Sequence, residues 1–523
     1  MASYLGRKHE VTVGRFIVAC ALANGILFHR PLIAFALSHL ALNSFTSVAT
    51  AMTVLLLAVL VSVLLLGAIS LISTRALKPI CMMAAMLSAI SLYFIDTYGV
   101  VLDKSMMDNV LNTNPTEVRD LLHPKLIIYL ATYGIIPCWL LSRVRVVKTS
   151  WRRRLALPAA TLVLVLGWMY AVSSTWLWFD QNSRTLGGLT LPWAYVIGMI
   201  RAGQDHLAPY RQEQLPPAHF LTQDKTIVIL VIGESARAAN FSLYGYPRPT
   251  NPWTSADGIL AFAGVRACAT YTTAALSCIL SARDAGWALS THTEPLPSYL
   301  HRHGVDVIWR TNNWGEPPIT VNTYQRAEDI PGACQGDSCR YDEALLHGLG
   351  ARIRSSTATR IFVVLHLHGS HGPAYAREFP PSFATFVPIC LTVELHACAP
   401  QALINAYDNS IRYTDHVLDQ TIQMLKSFSS TATLLIYLSD HGESLGEYGL
   451  YLHGAPFAVA PDEQKNVPFL IWTSDEFRQR HGVRNSLPAI RWNLTQFNVF
   501  HSVMGAFDMR SDAYAPALDI FAN

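Results

Sequence analysis

Five long apolar runs in the first third of the chain constrain its fold more than any other feature. An apolar run of about 20 residues can cross the hydrocarbon core of a bilayer as a helix. Only 14% of the residues are charged, against about 25% in an average soluble protein. The sequence therefore predicts a transmembrane domain, residues 1–175, with five spans at about 11–30, 50–73, 79–98, 125–142 and 155–174.

Basic residues between these runs predict their orientation. Arg7 and Lys8 precede the first run, Arg75 and Lys78 separate the second from the third, and six basic residues lie in 143–154, between the fourth and fifth. Basic loops stay on the cytoplasmic side of a membrane. Five crossings then place the N-terminus in the cytoplasm and the rest of the chain outside it. Because topology accounts for the basic residues, the net charge of +3 gives no reason to expect a nucleic-acid partner.

The remaining sequence predicts a linker with an interfacial helix, residues 176–217, and an α/β domain, residues 218–523. Helical sequence such as 405–428 alternates with apolar runs that end in polar residues and glycine. Continuous apolarity indicates strands buried on both faces, as in a parallel sheet covered by helices. We expect a doubly wound domain with a mainly parallel central sheet. Its predicted strands lie within 225–235, 306–313, 360–371 and 433–444.

The ends of these runs carry acids, histidines and asparagines. Glu234 follows the first run, and Asp440 and His441 follow the fourth. Ligands bind beyond the carboxyl ends of parallel strands, and zinc accepts a mixture of carboxylate and imidazole ligands, whereas magnesium and calcium prefer oxygen. One such strand end would more often be a helix cap with a hydrogen-bonded histidine, but four together favour a zinc site. His371 and His453 are further candidates.

The stretch "CATYTTAALSC", residues 268–278, predicts a nucleophile. Its threonines Thr270, Thr272 and Thr273 precede helix-forming residues. A hydroxyl at a helix N-terminus faces unpaired N–H groups and the positive end of the dipole, and a nearby metal lowers its pKa further. The alternative is that the threonines only cap the helix. Spacing alone does not decide among the three.

Six of the nine cysteines lie beyond residue 260 in three close pairs. An even number in an extracytoplasmic domain favours disulfides, although six cysteines allow fifteen pairings. Structural zinc is the alternative, but none of the pairs has the C-x-x-C interval typical of such sites. The other three, Cys20, Cys81 and Cys138, fall inside the apolar runs and are expected to stay reduced.

Several stretches together resemble the lipid A phosphoethanolamine transferases of Gram-negative inner membranes, which include the mobile colistin-resistance enzymes and belong to the alkaline phosphatase superfamily. The resemblance extends over nearly the whole chain. It implies five membrane spans and a periplasmic α/β domain of the alkaline phosphatase/sulfatase type. The matching stretches are residues 233–252, 268–278, 368–383, 406–416, 439–464 and 500–508.

The resemblance also implies roles for individual residues. One zinc ion would be bound by Glu234, Thr272, Asp440 and His441. Thr272 would be the nucleophile, because it follows Cys268 at the family's interval of four residues. The two further active-site histidines would be His371 and His453, which would hold phosphate charge, transfer protons or bind a second zinc. The implied disulfides are Cys268–Cys278, Cys334–Cys339 and Cys390–Cys398, and the implied donor-binding residues are Asn109, Thr113 and Glu117.

The reaction that the resemblance implies moves phosphoethanolamine from phosphatidylethanolamine to a lipid A phosphate through a phosphothreonine-type adduct, which lowers susceptibility to polymyxins. We expect a monomer in contact with inner-membrane lipid. One departure concerns the acceptor. The colistin-resistance enzymes carry a lysine after their "WR.NN" motif, whereas "WRTNNWGEPPIT", residues 309–320, has none. The acceptor, or the way its phosphate is held, is therefore open.

The sequence leaves three alternative functions open. A sulfatase takes its nucleophile from a C-x-P-x-R signature, and "CILSAR", residues 278–283, lacks the proline. A transferase of phosphoethanolamine or phosphoglycerol to another envelope glycan would have the same spans and a threonine nucleophile. A membrane-anchored sensor with a structural zinc would need a broken nucleophile loop, and this loop is intact.

Overall fold

A computed structural model describes residues 9–40, 45–113, 118–119, 121–172, 176–207, 212–283, 293–482 and 494–522. The chain divides into two compact units. The first combines Met1–Asp108 with Leu122–Asp205, and the second combines Asn109–Leu121 with His206–Asn523. The division after Asp205 falls inside the segment 176–217 that the sequence predicts as a linker.

The first unit is a bundle of helices with one pair of short strands. Its strands are β1 (His9–Thr12) and β2 (Val144–Val147), which pair in parallel. Its helices are α1 (Val13–Phe28), α2 (Arg30–His39), α3 (Phe45–Ile72), α4 (Leu77–Tyr98), α5 (Lys104–Asn112, within which the two units divide), α6 (Pro124–Ser142, with a central π-helical turn), α7 (Trp151–Ala171), α8 (Trp176–Gln181), α9 (Ser183–Leu189) and α10 (Trp193–Leu207).

Among the described residues, four helices are long and apolar enough to cross a membrane, namely α3, α4, α6 and α7. They correspond to the second to fifth predicted spans. The first predicted span, 11–30, is instead a bent pair, in which α1 and α2 meet at 60°. Pro31 explains the break, because it has no N–H to continue the hydrogen bonding of α1 and its ring clashes with the preceding turn. The count is therefore four spans, or five if the pair crosses as one.

Loops predicted on one side of the membrane lie together in the bundle. The ammonium of Lys78, in the first turn of α4, donates to the carbonyls of Ser142 and Val144, each at 3.0 Å. Strand β1, before α1, pairs with β2 at the same end. Because α1 begins and α3 ends here, α1 and α2 together lead from one end of the bundle to the other. The orientation predicted from basic residues requires that this bent pair crosses the membrane.

The second unit is an α/β domain. Its strands are β3 (His219–Phe220), β4 (Thr226–Gly233), β5 (Leu260–Phe262), β6 (Asp306–Thr311), β7 (Thr323–Arg326), β8 (Arg360–His366), β9 (Ala432–Ser439), β10 (Ser444–Leu445), β11 (Tyr451–Leu452), β12 (Phe469–Thr473) and β13 (Met509–Arg510). Its helices are α11 (Pro252–Ala256), α12 (Thr272–Ile279), α13 (Leu296–Arg302), α14 (Leu349–Ser355), α15 (Pro400–Lys426), α16 (Asp475–His481) and α17 (Asn498–Ala506).

The central sheet has seven strands in the order β5-β12-β9-β4-β8-β6-β7. The four predicted strands are all present as β4, β6, β8 and β9, and they lie next to one another. With β7 they form five neighbouring parallel strands. Strand β12 is antiparallel to both of its neighbours, so the sheet is mixed. The expectation of a mainly parallel sheet is correct for its centre.

Both faces of the sheet are buried, as continuous apolarity predicts. Val228, Leu230 and Ile232 of β4 belong to one hydrophobic core, whereas Ile227 and its alternate neighbours belong to the core on the opposite face. Successive side chains of a strand point to opposite faces, so an unbroken apolar run fills two cores at once. Helix α15 packs in the second core and α17 in the first. The strand ends are therefore where polar side chains can gather.

Three local disulfides tie down loops of this domain, and each joins one of the close cysteine pairs: Cys268–Cys278, Cys334–Cys339 and Cys390–Cys398. The first links the segment before α12 to the last turn of that helix. The cysteines of the helical bundle, Cys20, Cys81 and Cys138, form no disulfide.

Peptide mass mapping under non-reducing conditions should recover these three bridges and find alkylatable thiols at Cys20, Cys81 and Cys138. In the chain-entropy view, even a bridge that closes a loop as short as 268–278 contributes roughly 2–3 kcal/mol. Reduction should therefore lower the thermal midpoint of the second unit. Six alkylatable thiols at the paired positions in the untreated protein would contradict this prediction.

Candidate metal and nucleophile site

The register between β4 and β9 brings two acidic strand ends together. These strands pair in parallel with Gly233 opposite Ser439, so Glu234 and Asp440, the next residues, leave the sheet side by side. The Asp440 amide donates to the Gly233 carbonyl at 3.0 Å. Glu234, Asp440 and the adjacent His441 are fully buried. The sheet thus gathers two carboxylates and one imidazole at a single point.

His441 Nε2 is the atom on which the site converges. It lies 3.2 Å from Glu234 Oε1 and 3.3 Å from Asp440 Oδ2. The Thr272 hydroxyl lies 3.3 Å from the same nitrogen and donates to Glu234 Oε2 at 3.1 Å. The other ring nitrogen, Nδ1, lies 3.0 Å from the Gly442 carbonyl oxygen. Donation of an Nδ1–H to that carbonyl leaves the lone pair on Nε2, which suits metal binding.

Burial and neighbouring charges both shift the pKa values of this cluster. Burial raises the pKa of Glu234, but the adjacent His441 outweighs it, and the pKa lies well below its usual range. Burial and the Glu234 charge raise the pKa of Asp440 well above its usual range. Burial lowers the pKa of His441, but the two carboxylates outweigh it and raise the pKa to about 10. Two carboxylates this close need a cation before both ionise.

This donor set fits a zinc ion. Glu234, His441 and His453 each offer a ligand atom, and the three atoms lie within 4.8 Å of one another. Asp440 Oδ2 is buried and accepts no hydrogen bond from the described residues. A buried polar atom without a partner is costly, and a cation would satisfy it. Oxygen and imidazole ligands together suit zinc better than magnesium or calcium.

The three threonines of the nucleophile loop occupy different environments. The Thr270 hydroxyl donates to the Ala455 carbonyl at 2.6 Å. The Thr273 methyl group packs against Gly315, where an added Cβ would lie 3.0 Å from Thr273 Cγ2. Thr272 is the first residue of α12, and its hydroxyl is the one that faces Glu234. The geometry thus separates three candidates that sequence spacing leaves equivalent.

His371 and His453 lie beside this cluster. The His453 ring is centred 4.4 Å from the His441 ring and 5.2 Å from the His371 ring. Burial lowers the pKa of both His371 and His453 to about 3, so each is a neutral imidazole. A neutral imidazole can bind a metal or accept a proton. The structure therefore brings His371 and His453 to the edge of the site, and their predicted roles stay predictions.

Two residues of the site were assigned no role from the sequence. Asn313 Nδ2 donates to Glu234 Oε2 at 2.7 Å, and the Ser235 hydroxyl donates to Glu234 Oε1 at 2.8 Å. Ser235 adopts a φ of +55°, which is uncommon outside glycine, and its amide donates to Asp440 Oδ1 at 3.2 Å. Each residue lies at the end of a predicted strand, and this position is the feature of the sequence that could have identified it. Their hydrogen bonds fix the Glu234 carboxylate from both sides.

The predicted donor-binding segment is described only in part. Asn109 lies in α5, and the Thr113 hydroxyl donates to the Asn109 carbonyl at 2.7 Å. Glu117 lies outside the described residues. Residues Asn109–Leu121 group with the second unit. The predicted role of Asn109, Thr113 and Glu117 stays a prediction.

Comparison with known proteins adds independent information. The family model described as sulfatase matches residues 226–509, and the model described as phosphoethanolamine transferase EptA/EptB matches residues 56–207. Phosphoethanolamine transferase EptA of Helicobacter pylori is 36% identical over 516 residues, covering 96% of this chain and 95% of that protein. Phosphatidylethanolamine transferase Mcr-1 of Escherichia coli is 34% identical and covers 80% of this chain and 83% of its own.

A solved structure agrees over almost the full length. The integral membrane protein lipooligosaccharide phosphoethanolamine transferase A (EptA) from Neisseria meningitidis superposes with a TM-score of 0.91 at 27% identity, covering 98% of this chain and 99% of that one. The sheet, the helical bundle and the sequence identity thus agree with one another. The chain belongs to the phosphoethanolamine transferase family, with an N-terminal membrane domain and a sulfatase-type catalytic domain.

Proposed function

We propose that this enzyme transfers phosphoethanolamine from phosphatidylethanolamine to a phosphate group of lipid A through a covalent adduct on Thr272. The observation that carries the proposal is the convergence of Glu234, Asp440 and the Thr272 hydroxyl on His441 Nε2, all within 3.3 Å. A hydroxyl in hydrogen-bond contact with a buried carboxylate is arranged as an activated nucleophile. The names of the relatives support the group transferred, and the Neisseria relative supports a lipooligosaccharide acceptor.

Glu234, Thr272, Asp440 and His441 would hold one zinc ion, and His371 with His453 could hold a second. When bound, zinc lowers the pKa of a coordinated hydroxyl and neutralises phosphate charge. The protein's own contribution is to fix the ligands. Ser235 and Asn313 orient the Glu234 carboxylate through the hydrogen bonds described above, and the Cys268–Cys278 disulfide holds the loop that carries Thr272.

In the first half of the reaction, Thr272 Oγ forms a bond to the phosphorus of phosphatidylethanolamine. The bond from phosphorus to the diacylglycerol oxygen breaks, and diacylglycerol leaves. Glu234 Oε2, 3.1 Å from Thr272 Oγ1, accepts the threonine proton, which passes to the departing oxygen. The product is phosphoethanolamine esterified to Thr272, so one difficult displacement becomes two easier ones.

In the second half, an oxygen of the acceptor phosphate forms a bond to the same phosphorus. The bond to Thr272 Oγ breaks, and the hydroxyl regains the proton that the acceptor phosphate loses. His371 and His453 are neutral imidazoles at the edge of the site and can carry that proton. The modified lipid A gains an amine whose positive charge offsets part of the phosphate charge, which would lower susceptibility to polymyxins.

We place the enzyme in the inner membrane of a Gram-negative bacterium, as a monomer with its catalytic domain in the periplasm. The four to five apolar spans support membrane insertion, and the three disulfides support an oxidising compartment. Asn109, Thr113 and Glu117 would contact the phosphatidylethanolamine donor. Residues 1–175 would form the membrane domain, 176–217 the linker and 218–523 the periplasmic domain.

Substitution of Thr272 tests the nucleophile. Thr272→Ala should reduce transfer to background while zinc binding is partly retained, and Thr272→Ser, which keeps a hydroxyl, should keep measurable turnover. Thr273→Ala is the matched control and should cost far less activity, because Thr273 packs on Gly315 rather than facing Glu234. Intact-protein mass spectrometry with phosphatidylethanolamine and no acceptor should find one adduct on the peptide with Thr272. An adduct on Thr270 or Thr273 would contradict the assignment.

Removal of the metal tests the ligand set. Chelation should abolish transfer, and Zn²⁺ should restore it better than Mg²⁺, because the site combines imidazole with carboxylate. Asp440→Asn and His441→Ala should each lose bound zinc, measured by elemental analysis, together with activity. Full activity in either variant would show that the Asp-His pair is structural.

Lipid A from expressing cells identifies the acceptor. Mass spectrometry should show the increment of one phosphoethanolamine on a phosphate of lipid A, absent in cells that express Thr272→Ala. Unmodified lipid A with phosphoethanolamine on another envelope glycan would favour the alternative acceptor, which the missing lysine after Asn313 leaves open. Incorporation from phosphatidylglycerol instead of phosphatidylethanolamine would identify a phosphoglycerol transferase.

A further inference from the structure

A cavity opens beside the candidate metal site, within the second unit. It has a volume of about 560 Å³, which is in the range of sites for small organic ligands. Its wall includes Asn312, Asn313 and Trp314, which follow β6, and it also includes Arg340 and His368. None of these residues has a part in the proposed covalent chemistry except Asn313, which orients Glu234.

This cavity connects directly to the reacting groups. Asn313 lines the cavity and donates its amide to Glu234 Oε2 at 2.7 Å. His368, also in the wall, stacks on His371 with ring centroids 5.4 Å apart. One end of a molecule bound in this cavity would therefore lie near Thr272.

The wall of the cavity is rich in guanidinium groups. Four arginines line it, against two acids, both exposed; the arginines are Arg119, Arg326, Arg340 and Arg377, and the acids are Glu328 and Asp337. Arginine binds phosphate oxygens through two parallel hydrogen bonds. A buried acid, Glu378, lies behind the wall, where it pairs with His368 at 3.0 Å and with Arg340 at 3.7 Å. This acid orients the two side chains and offsets part of their positive charge.

Two of the cationic positions are held in place. The Arg326 guanidinium stacks on the Trp314 ring, 3.1 Å from its centroid. Arg340 follows the Cys334–Cys339 disulfide directly, and its carbonyl accepts from Asn312 Nδ2 at 3.4 Å. Preorganised donors lose less entropy when they bind an anion, so these two positions favour an anion at the wall of the cavity.

The two substrates of the proposed reaction differ in charge at this point. The headgroup of the donor combines a singly negative phosphodiester with a terminal ammonium cation, and four guanidinium groups would repel the ammonium. The acceptor carries a phosphate monoester, with a charge of about −1.5 to −2 at neutral pH. An arginine-lined cavity that ends at the reacting site fits the second substrate and disfavours the first.

We propose that this cavity is the acceptor subsite and that it binds a phosphorylated saccharide, with Arg340 and Arg377 in contact with phosphate oxygens. The inference rests on the proposed function and names the part of the site that recognises the acceptor. In this chain, where no lysine follows Asn313 within residues 309–320, the arginines of the cavity supply the positive charge at its wall.

Arg340→Gln and Arg377→Gln separate the two half-reactions. With phosphatidylethanolamine alone, each variant should form the Thr272 adduct at a rate within about twofold of the wild type. With purified lipid A as acceptor, each should raise the apparent KM about tenfold, since a charge-assisted hydrogen bond to phosphate is lost. Arg354→Gln is the matched control. Its exposed guanidinium, at the end of α14, contacts Ser427 at the start of the segment that leads into β9, away from the strand ends.

The possible results distinguish this inference from the proposed function. Normal adduct formation with a wild-type KM in both variants would overturn the acceptor subsite and leave the covalent mechanism standing. A wild-type protein that forms no adduct would overturn the proposed function and the subsite with it. Arg340 contacts a buried acid, so Arg340→Gln could unfold the site and lose both half-reactions. In that case Arg377→Gln, at an exposed position, decides the result.

Discussion

The site depends on two buried carboxylates being held within 3.3 Å of one imidazole nitrogen. Alone, Glu234 and Asp440 would repel one another, and burial would keep at least one of them protonated. The pairing of β4 with β9 nevertheless forces them together, because both strands end at the same register position. The sheet that holds them together is buried on both faces. A cation bound between the carboxylates would remove the repulsion and would therefore stabilise the folded domain.

Close backbone approaches around this cluster explain the glycines that follow the strands. At Gly369, which has a φ of +58°, an added Cβ would lie 2.8 Å from the Glu234 carbonyl oxygen. At Gly442, an added Cβ would lie 1.9 Å from the Glu463 carbonyl oxygen. A side chain at either position would displace the backbone that carries Glu234 or His441. The motifs of this chain thus contain two kinds of residue. Some are proposed to react, and others are glycines, which are small enough to let the proposed reacting groups approach one another.

The sequence predicts the elements that depend on local pattern and misses those that depend on long-range contacts. Apolar runs predict β4, β6, β8 and β9, because these strands are buried on both faces. They also predict the four long helices, because a helix in contact with lipid is apolar along its whole length. The antiparallel placement of β12 has no such signal, since its direction depends on the path of the chain around the sheet. Likewise, spacing alone does not distinguish Thr272 from Thr270. Long-range contacts distinguish their hydroxyls, because Thr270 donates to the carbonyl of Ala455, 185 residues further along the chain, whereas Thr272 donates to Glu234 Oε2. The bend at Pro31 is readable in the sequence, but its 60° angle is not.

Anionic and cationic side chains occupy two adjoining regions of the catalytic domain. Anionic side chains surround Thr272, where a metal would be bound, whereas guanidinium groups line the adjoining cavity at Arg326, Arg340 and Arg377. Asn313 connects the two regions, because it donates to Glu234 and also lines the cavity. A neutral amide is suited to this boundary, since it binds a carboxylate without adding charge to either side. The loop after β6 carries Glu316, whose carboxylate lies 4.0 Å from His366, and Trp314, on whose ring the Arg326 guanidinium stacks. The same loop therefore has contacts with both regions.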